Sequence, residues 1–224
     1  MRFSEAIVWN GFSVVADIKL RSPEHGDLLR GREPAAIAME LAAAGCPCLT
    51  NVTENAHYGG SLAVLRRICR AVSIPVLRKD FLKTVDELKA TVDAGAAGVL
   101  IGCSTLGWAE NEVLYHKAIE LGLEPLVEVH TAEEMTFAVS LGARFIGINN
   151  RDIVKLELDG GTVDKTAELI ALVPENSVAI SESGILTPAD VRRARGLGAD
   201  AVLVGSALLL AEDLAGTYRQ MAEA

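Results

Sequence analysis

Aromatic residues are scarce in this chain, only 4% of its 224 positions, while half of all residues are hydrophobic. The bulk is Ala, Val, Leu and Ile, which suits Ala-rich helices laid over aliphatic strands. Cysteine is also sparse. Cys46, Cys48, Cys69 and Cys103 lack zinc-ribbon spacing, so Cys46-Pro47-Cys48 is expected to hold buried thiols at the start of a strand. His25, His57, His116 and His130 form no HxH or HExxH pair, so no metal site is expected. Basic residues do not predominate: 21 Lys and Arg face 30 Asp and Glu, for a net charge of −9. That balance argues against a nucleic-acid partner but leaves room for a local cluster gripping a small anion. No apolar run is long enough to span a bilayer, and Met1-Arg2-Phe3-Ser4-Glu5 does not open a signal peptide. The expectation is a cytoplasmic protein without a membrane partner.

What the chain does contain is a repeat. Ala44-Gly45-Cys46, Ala94-Gly95-Ala96, Leu141-Gly142-Ala143 and Leu197-Gly198-Ala199 each precede an apolar run. The glycine fits the residue after a helix, where left-handed backbone is cheap only without a Cβ. The runs they introduce, 48–52, 98–102, 145–149 and 201–205, are expected strands. Four more fill the gaps: Ser13 to Lys19, Pro75 to Lys79, Glu124 to Val129 and Val178 to Ser181. Helical segments alternate with them: Pro34 to Ala44, Ser61 to Val72, Thr84 to Ala94, Trp108 to Leu121, Thr131 to Leu141, Val163 to Val173, Thr187 to Leu197 and Leu208 to Ala222. Thr187-Pro188 and Thr131-Ala132-Glu133-Glu134 carry N-cap chemistry. Strict alternation predicts parallel strands with crossover helices. An open doubly wound sheet is the rival. Eight regular units in so short a chain favour closure into a (β/α)8 TIM barrel, one domain over 1–224 with 1–12 a short N-terminal extension.

Polar groups sit at the C-terminal ends of these strands, the rim where such barrels keep their chemistry. Asp17 and Lys19, two apart on one strand, share a face; they are either site residues or a structural ion pair plugging the barrel. Lys79, between Arg78 and Asp80, is expected to have a lowered pKa and to serve as proton donor or Schiff-base nucleophile. Glu128 and Glu182 end strands too apolar to hold a carboxylate without a partner or a task. Asn149-Asn150-Arg151 offers neutral donors and a guanidinium suited to a carboxylate. Ser183-Gly184-Ile185 and Gly205-Ser206-Ala207, after the last two strands, stand where such barrels bind phosphate, with Lys19 and Ser22 nearby; the alternative is ordinary turn residues.

Taken together and in order, these stretches resemble the indole-3-glycerol phosphate synthase family. The resemblance runs from about Val14 to about Leu210. It rests on Ala16-Asp17-Ile18-Lys19 with Ser22-Pro23, on Val52-Thr53-Glu54 followed by Tyr58-Gly59-Gly60-Ser61, and on Pro75-Val76-Leu77-Arg78-Lys79-Asp80-Phe81. It continues through Leu126-Val127-Glu128-Val129-His130, Ile146-Gly147-Ile148-Asn149-Asn150-Arg151-Asp152, Ser181-Glu182-Ser183-Gly184-Ile185 and Leu203-Val204-Gly205-Ser206. It implies a carbon–carbon lyase of tryptophan biosynthesis. The substrate would be 1-(2-carboxyphenylamino)-1-deoxyribulose 5-phosphate, a sugar phosphate that cyclises with loss of carbon dioxide and water. By position, Lys79 would be the general acid and Glu128 the acid/base partner in dehydration. Lys19 would hold the substrate carboxylate or an intermediate, Glu182 and Asn149 would position hydroxyls or the amine, and Arg151 would face the aromatic carboxylate. Ser22, Ser183, Gly184, Gly205 and Ser206 would hold the phosphate, with Tyr58 and Phe81 lining the ring pocket. The resemblance implies no cofactor and no metal, and leaves association with other pathway enzymes open.

The chain departs from the family pattern in three places. Asp17 stands where the family carries a glutamate of catalytic or supporting role. About a dozen residues precede the first strand where some forty are usual, so Trp9-Asn10-Gly11-Phe12 is expected to form only a small bottom plug or short lid. Asn51 and Gly102-Cys103-Ser104 replace apolar strand residues, changes expected to concern the mouth and ring pocket. Two other readings therefore stand beside the synthase: a paralogue acting on a related phosphorylated or aryl-amino substrate, and a non-catalytic ligand-binding or scaffold barrel. A Schiff-base aldolase using Lys79 is the chemical outsider.

Overall fold

The computed structural model describes residues 2–9, 11–151 and 162–224; Asn10 and Asp152, both within stretches quoted above, lie outside them. Eight strands form a closed barrel: β1 (Ser13–Ile18), β2 (Leu49–Val52), β3 (Val76–Lys79), β4 (Gly98–Gly102), β5 (Glu124–Val129), β6 (Phe145–Asn149), β7 (Val178–Glu182) and β8 (Ala201–Val204). Every neighbouring pair is parallel, and β1 closes the ring on both β8 and β2. The open-sheet rival is thereby excluded. A short hairpin, Arg21–Ser22 with Gly26–Asp27, follows β1.

Helices α1 (Phe3–Val8), α2 (Pro34–Ala43), α3 (Leu62–Ala71), α4 (Val85–Asp93), α5 (Trp108–Glu120) and α6 (Ala132–Ser140) are followed by α7 (Asp164–Leu169), α8 (Pro188–Gly196), α9 (Ser206–Leu209) and α10 (Leu214–Ala222). The glycine repeat ends helices as the sequence requires. Gly45, Gly95, Gly142 and Gly198 all have φ between +68° and +102°. After each, the next N–H reaches back to close the turn, as in Cys46 N to Leu41 O at 3.0 Å and Ala143 N to Ala138 O at 3.1 Å. Thr131 and Thr187 cap α6 and α8 by accepting from the N–H of Glu134 and Asp190, each cap contributing about 1 kcal/mol.

Three expected elements differ. The segment expected as one helix from Leu208 to Ala222 is two, α9 and α10, because Asp213 caps a fresh start by accepting from Gly216 N. The helix expected over Val163 to Val173 ends at Leu169 and tightens into a 3₁₀ turn, Ile170–Leu172. The bottom plug is α1 rather than Trp9 to Phe12. Phe3 and Ile7 are fully buried with the inward residues Val15, Cys48, Leu77, Leu126 and Ile180, and the Phe3 ring lies 5.6 Å from that of Phe145, whereas Trp9 is 81% exposed.

Asn51 and Cys103 do not alter the mouth. Asn51 faces away from the barrel axis, opposite to its neighbour Thr50, and its amide donates to the Ile18 carbonyl at 2.8 Å. Cys103 packs with Tyr115, Val127 and Met135 behind the wall. Cys46 and Cys48 are buried as expected, and burial raises the Cys46 thiol to about 11.

Candidate active site

Side-chain alternation turns every second residue of a barrel strand inward, and at the C-terminal ends those residues are polar. They surround a cavity of about 950 Å³, counting its opening to solvent. Asp17, Lys19, Tyr58, Lys79, Phe81, Glu128, Asn149, Arg151, Ser183, Gly184, Gly205 and Ser206 line it. Residues named from all parts of the sequence thus meet around one hollow.

At its floor lies a buried ionic cluster. Lys79 Nζ is 2.8 Å from Glu128 Oε2 and 3.1 Å from Glu182 Oε2. Asn149 Nδ2 donates to the same Glu128 oxygen at 3.1 Å. Exposure is graded: 17% of the Lys79 side chain, 2% of Glu128 and none of Glu182 meets solvent. The ammonium is therefore the member that a ligand meets first, and Glu182 lies behind it rather than in the lining. Glu182 fits there because β6 carries Gly147 opposite. A Cβ at that position would overlap Glu182 Oε1 and come within 3.0 Å of its Cδ.

Electrostatics correct the expectation for Lys79. Burial pulls its pKa down, but Glu128, Glu182 and Asp17 together outweigh burial and hold it well above the ordinary value. The sequence neighbour Arg78 plays no part. It points outward to Thr53, Thr91 and Asp80, meeting the Asp80 carboxylate at 2.8 Å. A lysine so held is a charged donor, not the neutral amine a Schiff base needs. Of the two carboxylates, burial pushes both up. Lys79 and His130 keep Glu128 below its usual value, whereas burial and the Glu128 and Asp17 charges raise Glu182 to about 7. Neither Glu182 oxygen has an aligned hydrogen bond among the described residues.

One wall is built by the loop after β2. Glu54 accepts from the N–H groups of Ala56, His57 and Tyr58. Arg21 donates to the carbonyls of Asn55 and Ala56, and its own N–H reaches Tyr58 O. The Tyr58 ring is held with Lys19 Nζ 5.6 Å from its centre, a cation–π distance. Glu54 is part of the Val52-Thr53-Glu54 stretch that carries the resemblance but is given no site role there, although it follows the end of β2 as the others follow their strands. Leu100 and Leu203 also line the cavity unforeseen; their signal was the period-two alternation with Gly102 and Gly205.

The opposite wall is backbone and small residues. Ser183 and Gly184 both have positive φ, 64° and 70°, and a serine there is uncommon enough to mark a constrained turn. Gly205 lies against Asp17, and a Cβ there would come to van der Waals contact with it at 3.4 Å. Asp17 accepts from the Thr50 hydroxyl, its partner across β1 and β2. Ser22 is not brought to the cavity. It is buried in the hairpin, where its hydroxyl accepts from His25 N at 3.0 Å. Arg151 comes over the rim and meets Glu24 at 3.5 Å. Among the described residues, no group of three or more His, Cys, Asp or Glu could hold a metal ion, and no helix is long and apolar enough to cross a membrane.

This architecture is widespread: the chain superposes on thiamine phosphate pyrophosphorylase from Pyrococcus furiosus with a TM-score of 0.68 over 94% of this chain and 93% of the other, at 16% identity, which shows the fold alone. The sequence comparison is more specific. An indole-3-glycerol phosphate synthase of Pyrococcus abyssi is 42% identical over 94% of this chain and 91% of its own length. One from Nocardioides is 42% identical over 94% of this chain and 80% of its own length. The family model described as indole-3-glycerol phosphate synthase matches residues 2–221, and the chain belongs to that family.

Proposed function

We propose that the mouth cavity closes the indole ring of 1-(2-carboxyphenylamino)-1-deoxyribulose 5-phosphate, as a carboxy-lyase of tryptophan biosynthesis in the cytoplasm. The observation that carries this reading is the Lys79 ammonium shared between Glu128 at 2.8 Å and Glu182 at 3.1 Å, facing a cavity that also holds Lys19 and Arg151. Lys79 gives a proton to the ketose oxygen as the aromatic carbon attacks. Carbon dioxide then leaves and the ring regains its aromaticity. In dehydration Glu128 removes the proton from the carbon next to nitrogen as the hydroxyl leaves, a donor and an acceptor acting on neighbouring atoms. Lys19 and Arg151 hold the aryl carboxylate, Asn149 and Glu182 position the hydroxyls and the amine, and Tyr58 and Phe81 flank the ring. The turn at Ser183–Gly184 and the N–H groups opening α9 at Ser206 receive the phosphate, and Ser22 acts by shaping the hairpin rather than by direct contact.

Incubation with the synthetic ribulose phosphate, followed by indole fluorescence, should show turnover. Tight binding of the product without turnover would replace this reading by a paralogue acting on a related aryl-amino sugar phosphate. Asp17 is the residue that favours that second reading, because its short carboxylate is tied toward Thr50. Under the main reading Asp17→Glu raises the rate, since misplacement of about 1 Å can cost on the order of a hundredfold.

A further inference from the structure

The ring closure takes in one proton each time it runs. The ketose oxygen gains two protons before leaving as water, one carbon gives a single proton back, and the carboxylate leaves as neutral carbon dioxide. The balance is one proton from solvent per turnover, yet the Glu128 carboxylate at the centre is 2% exposed.

Its two oxygens face different ways. Oε2 is occupied in the mouth by Lys79 and Asn149. Oε1 lies 4.0 Å from Nε2 of His130, the residue two further along the chain. Glu134, on the first turn of α6, fixes that ring. Its Oε2 accepts from the His130 backbone N–H at 2.5 Å and lies 3.3 Å from Nδ1. Glu134 is anchored in turn by its N–H to the Thr131 hydroxyl at 3.1 Å. With Nδ1–H directed at Glu134, the neutral ring presents the Nε2 lone pair toward Glu128, and the imidazolium presents an Nε2–H. Nε2 is buried and has no hydrogen-bond partner among the described residues. A buried polar atom left without a partner calls for an explanation, and this one faces a carboxylate whose charge must change during the reaction.

We propose that His130 is a positioning residue for Glu128, lending its Oε1 the proton that each turnover consumes, with Glu134 holding the ring for the exchange. In the step, Lys79 has given its proton to the ketose oxygen and takes another from Glu128 through Oε2. As the 4.0 Å gap to His130 closes to hydrogen-bond length in the complex, the Nε2–H bond of the imidazolium breaks and an O–H bond forms on Oε1. Lys79 is thereby recharged, Glu128 returns to a carboxylate able to take the carbon proton, and the ring is left neutral with its proton on Nδ1. The ring regains its proton from solvent between turnovers; its side chain keeps 14% exposure and that of Glu134 12%. Among the described residues, the ionisable groups acting on the ring are Glu128 on its own strand, Glu134 on α6 and Lys79 from β3, with the Cys103 thiol after β4 beside the two carboxylates. Burial, with the Glu134 and Glu128 charges, pushes Cys103 to about 12 and keeps it neutral. Burial and Lys79 lower the His130 pKa, but Glu134 and Glu128 outweigh them and leave it above its ordinary 6.5. The imidazolium is thus populated near neutral pH and lost as pH rises, so kcat should fall along that limb.

The inference rests on the ring-closing reading, and its test separates the two. In ¹⁵N-histidine NMR of the whole protein, the neutral His130 ring should carry its proton on Nδ1, and Glu128→Gln should lower its titration midpoint by about one pH unit. An unmoved midpoint overturns the coupling. With substrate, His130→Asn retains an N–H for Glu134 but has no Nε2. It should lower kcat about a hundredfold, the low end of general acid–base effects, leave KM within about twofold, and abolish the alkaline limb; added imidazole should restore part of the rate. His130→Gln restores a donor that cannot titrate and should not recover the rate. A kcat for His130→Asn equal to wild type across pH, or full recovery with Gln, overturns the proposal. Wild-type protein that shows the NMR coupling but no turnover would sink the ring-closing reading and leave the pairing standing.

Discussion

The lower and upper halves of the barrel interior are built from the same eight strands and have opposite chemistry. Below, Val15, Leu77, Leu126, Phe145 and Ile180 point inward onto the plug residues Phe3 and Ile7. Two positions further along the same strands, Asp17, Lys79, Glu128 and Glu182 point into the same axis. The apolar half gains stability from burial and needs no partner. The ionic half is stable only as a set, since each charge there is tolerated through the others. A division of labour along one axis follows: damage below should cost stability and spare chemistry, and damage above should cost chemistry first.

The strongest way to break that contrast is Lys79→Met. It removes the proton donor and leaves Glu128 and Glu182 buried together, so turnover should fall about 10³-fold or more. Stability at pH 7 should drop by about 3–5 kcal/mol, and part of it should return near pH 5 as the carboxylates protonate. Activity assays and urea unfolding at both pH values check this. Unchanged turnover would remove Lys79 as the acid.

Phe3→Ala is the matching cut below. Phe3 is fully buried against Phe145, and truncation of a buried Phe costs about 3–5 kcal/mol. The denaturation midpoint should fall while kcat and KM below the new melting temperature stay at wild-type values. A kcat loss as large as the stability loss would show that the halves are coupled.

The contrast was only partly legible in the sequence. The strands were, because aliphatic runs preceded by a helix-ending glycine have few other uses, and the polar residues at their ends identified the rim. The plug was not, since α1 is six residues long with no helical period to detect. Nor was the charge state of Lys79. In sequence its neighbour is Arg78, which suggested a lowered pKa, but in space its neighbours are Glu128, forty-nine positions away, and Glu182. Strand alternation sends Arg78 to the other side of the wall. Glu182 was expected at the rim with the rest and instead lies behind Lys79, a depth that depends on barrel stagger and on the missing Cβ of Gly147.

That missing Cβ gives a finer probe of the upper half. Gly147→Ala places a methyl group where Glu182 Oε1 lies, so the carboxylate must swing away from Lys79. A displacement of about 1 Å there should lower kcat on the order of a hundredfold while phosphate-dependent binding persists. Wild-type kinetics from a folded Gly147→Ala protein would show that Glu182 is not needed at that position.

The smallest effect is a slope. Burial first, then the Glu128 and Asp17 charges, raise Glu182 from 4.5 to about 7 despite Lys79. Between those two values the folded protein holds a proton on Glu182 that the unfolded chain has released, so this group's contribution to stability is full below pH 4.5 and is lost as pH rises to about 7. One proton corresponds to about 1.4 kcal/mol per pH unit. Glu182→Gln, which stays neutral and nearly isosteric, should lack that slope, so that the difference between the two proteins carries it. Their unfolding free energies should therefore diverge with rising pH, the variant gaining on wild type up to about pH 7 and running parallel above it. Because burial holds the thiol of Cys48, which packs with Phe3, well above its ordinary value of 9.0 and so neutral over this range, the same pH series on Phe3→Ala should run parallel to wild type throughout. A slope that survives Glu182→Gln would place the shared proton on another group of the upper half.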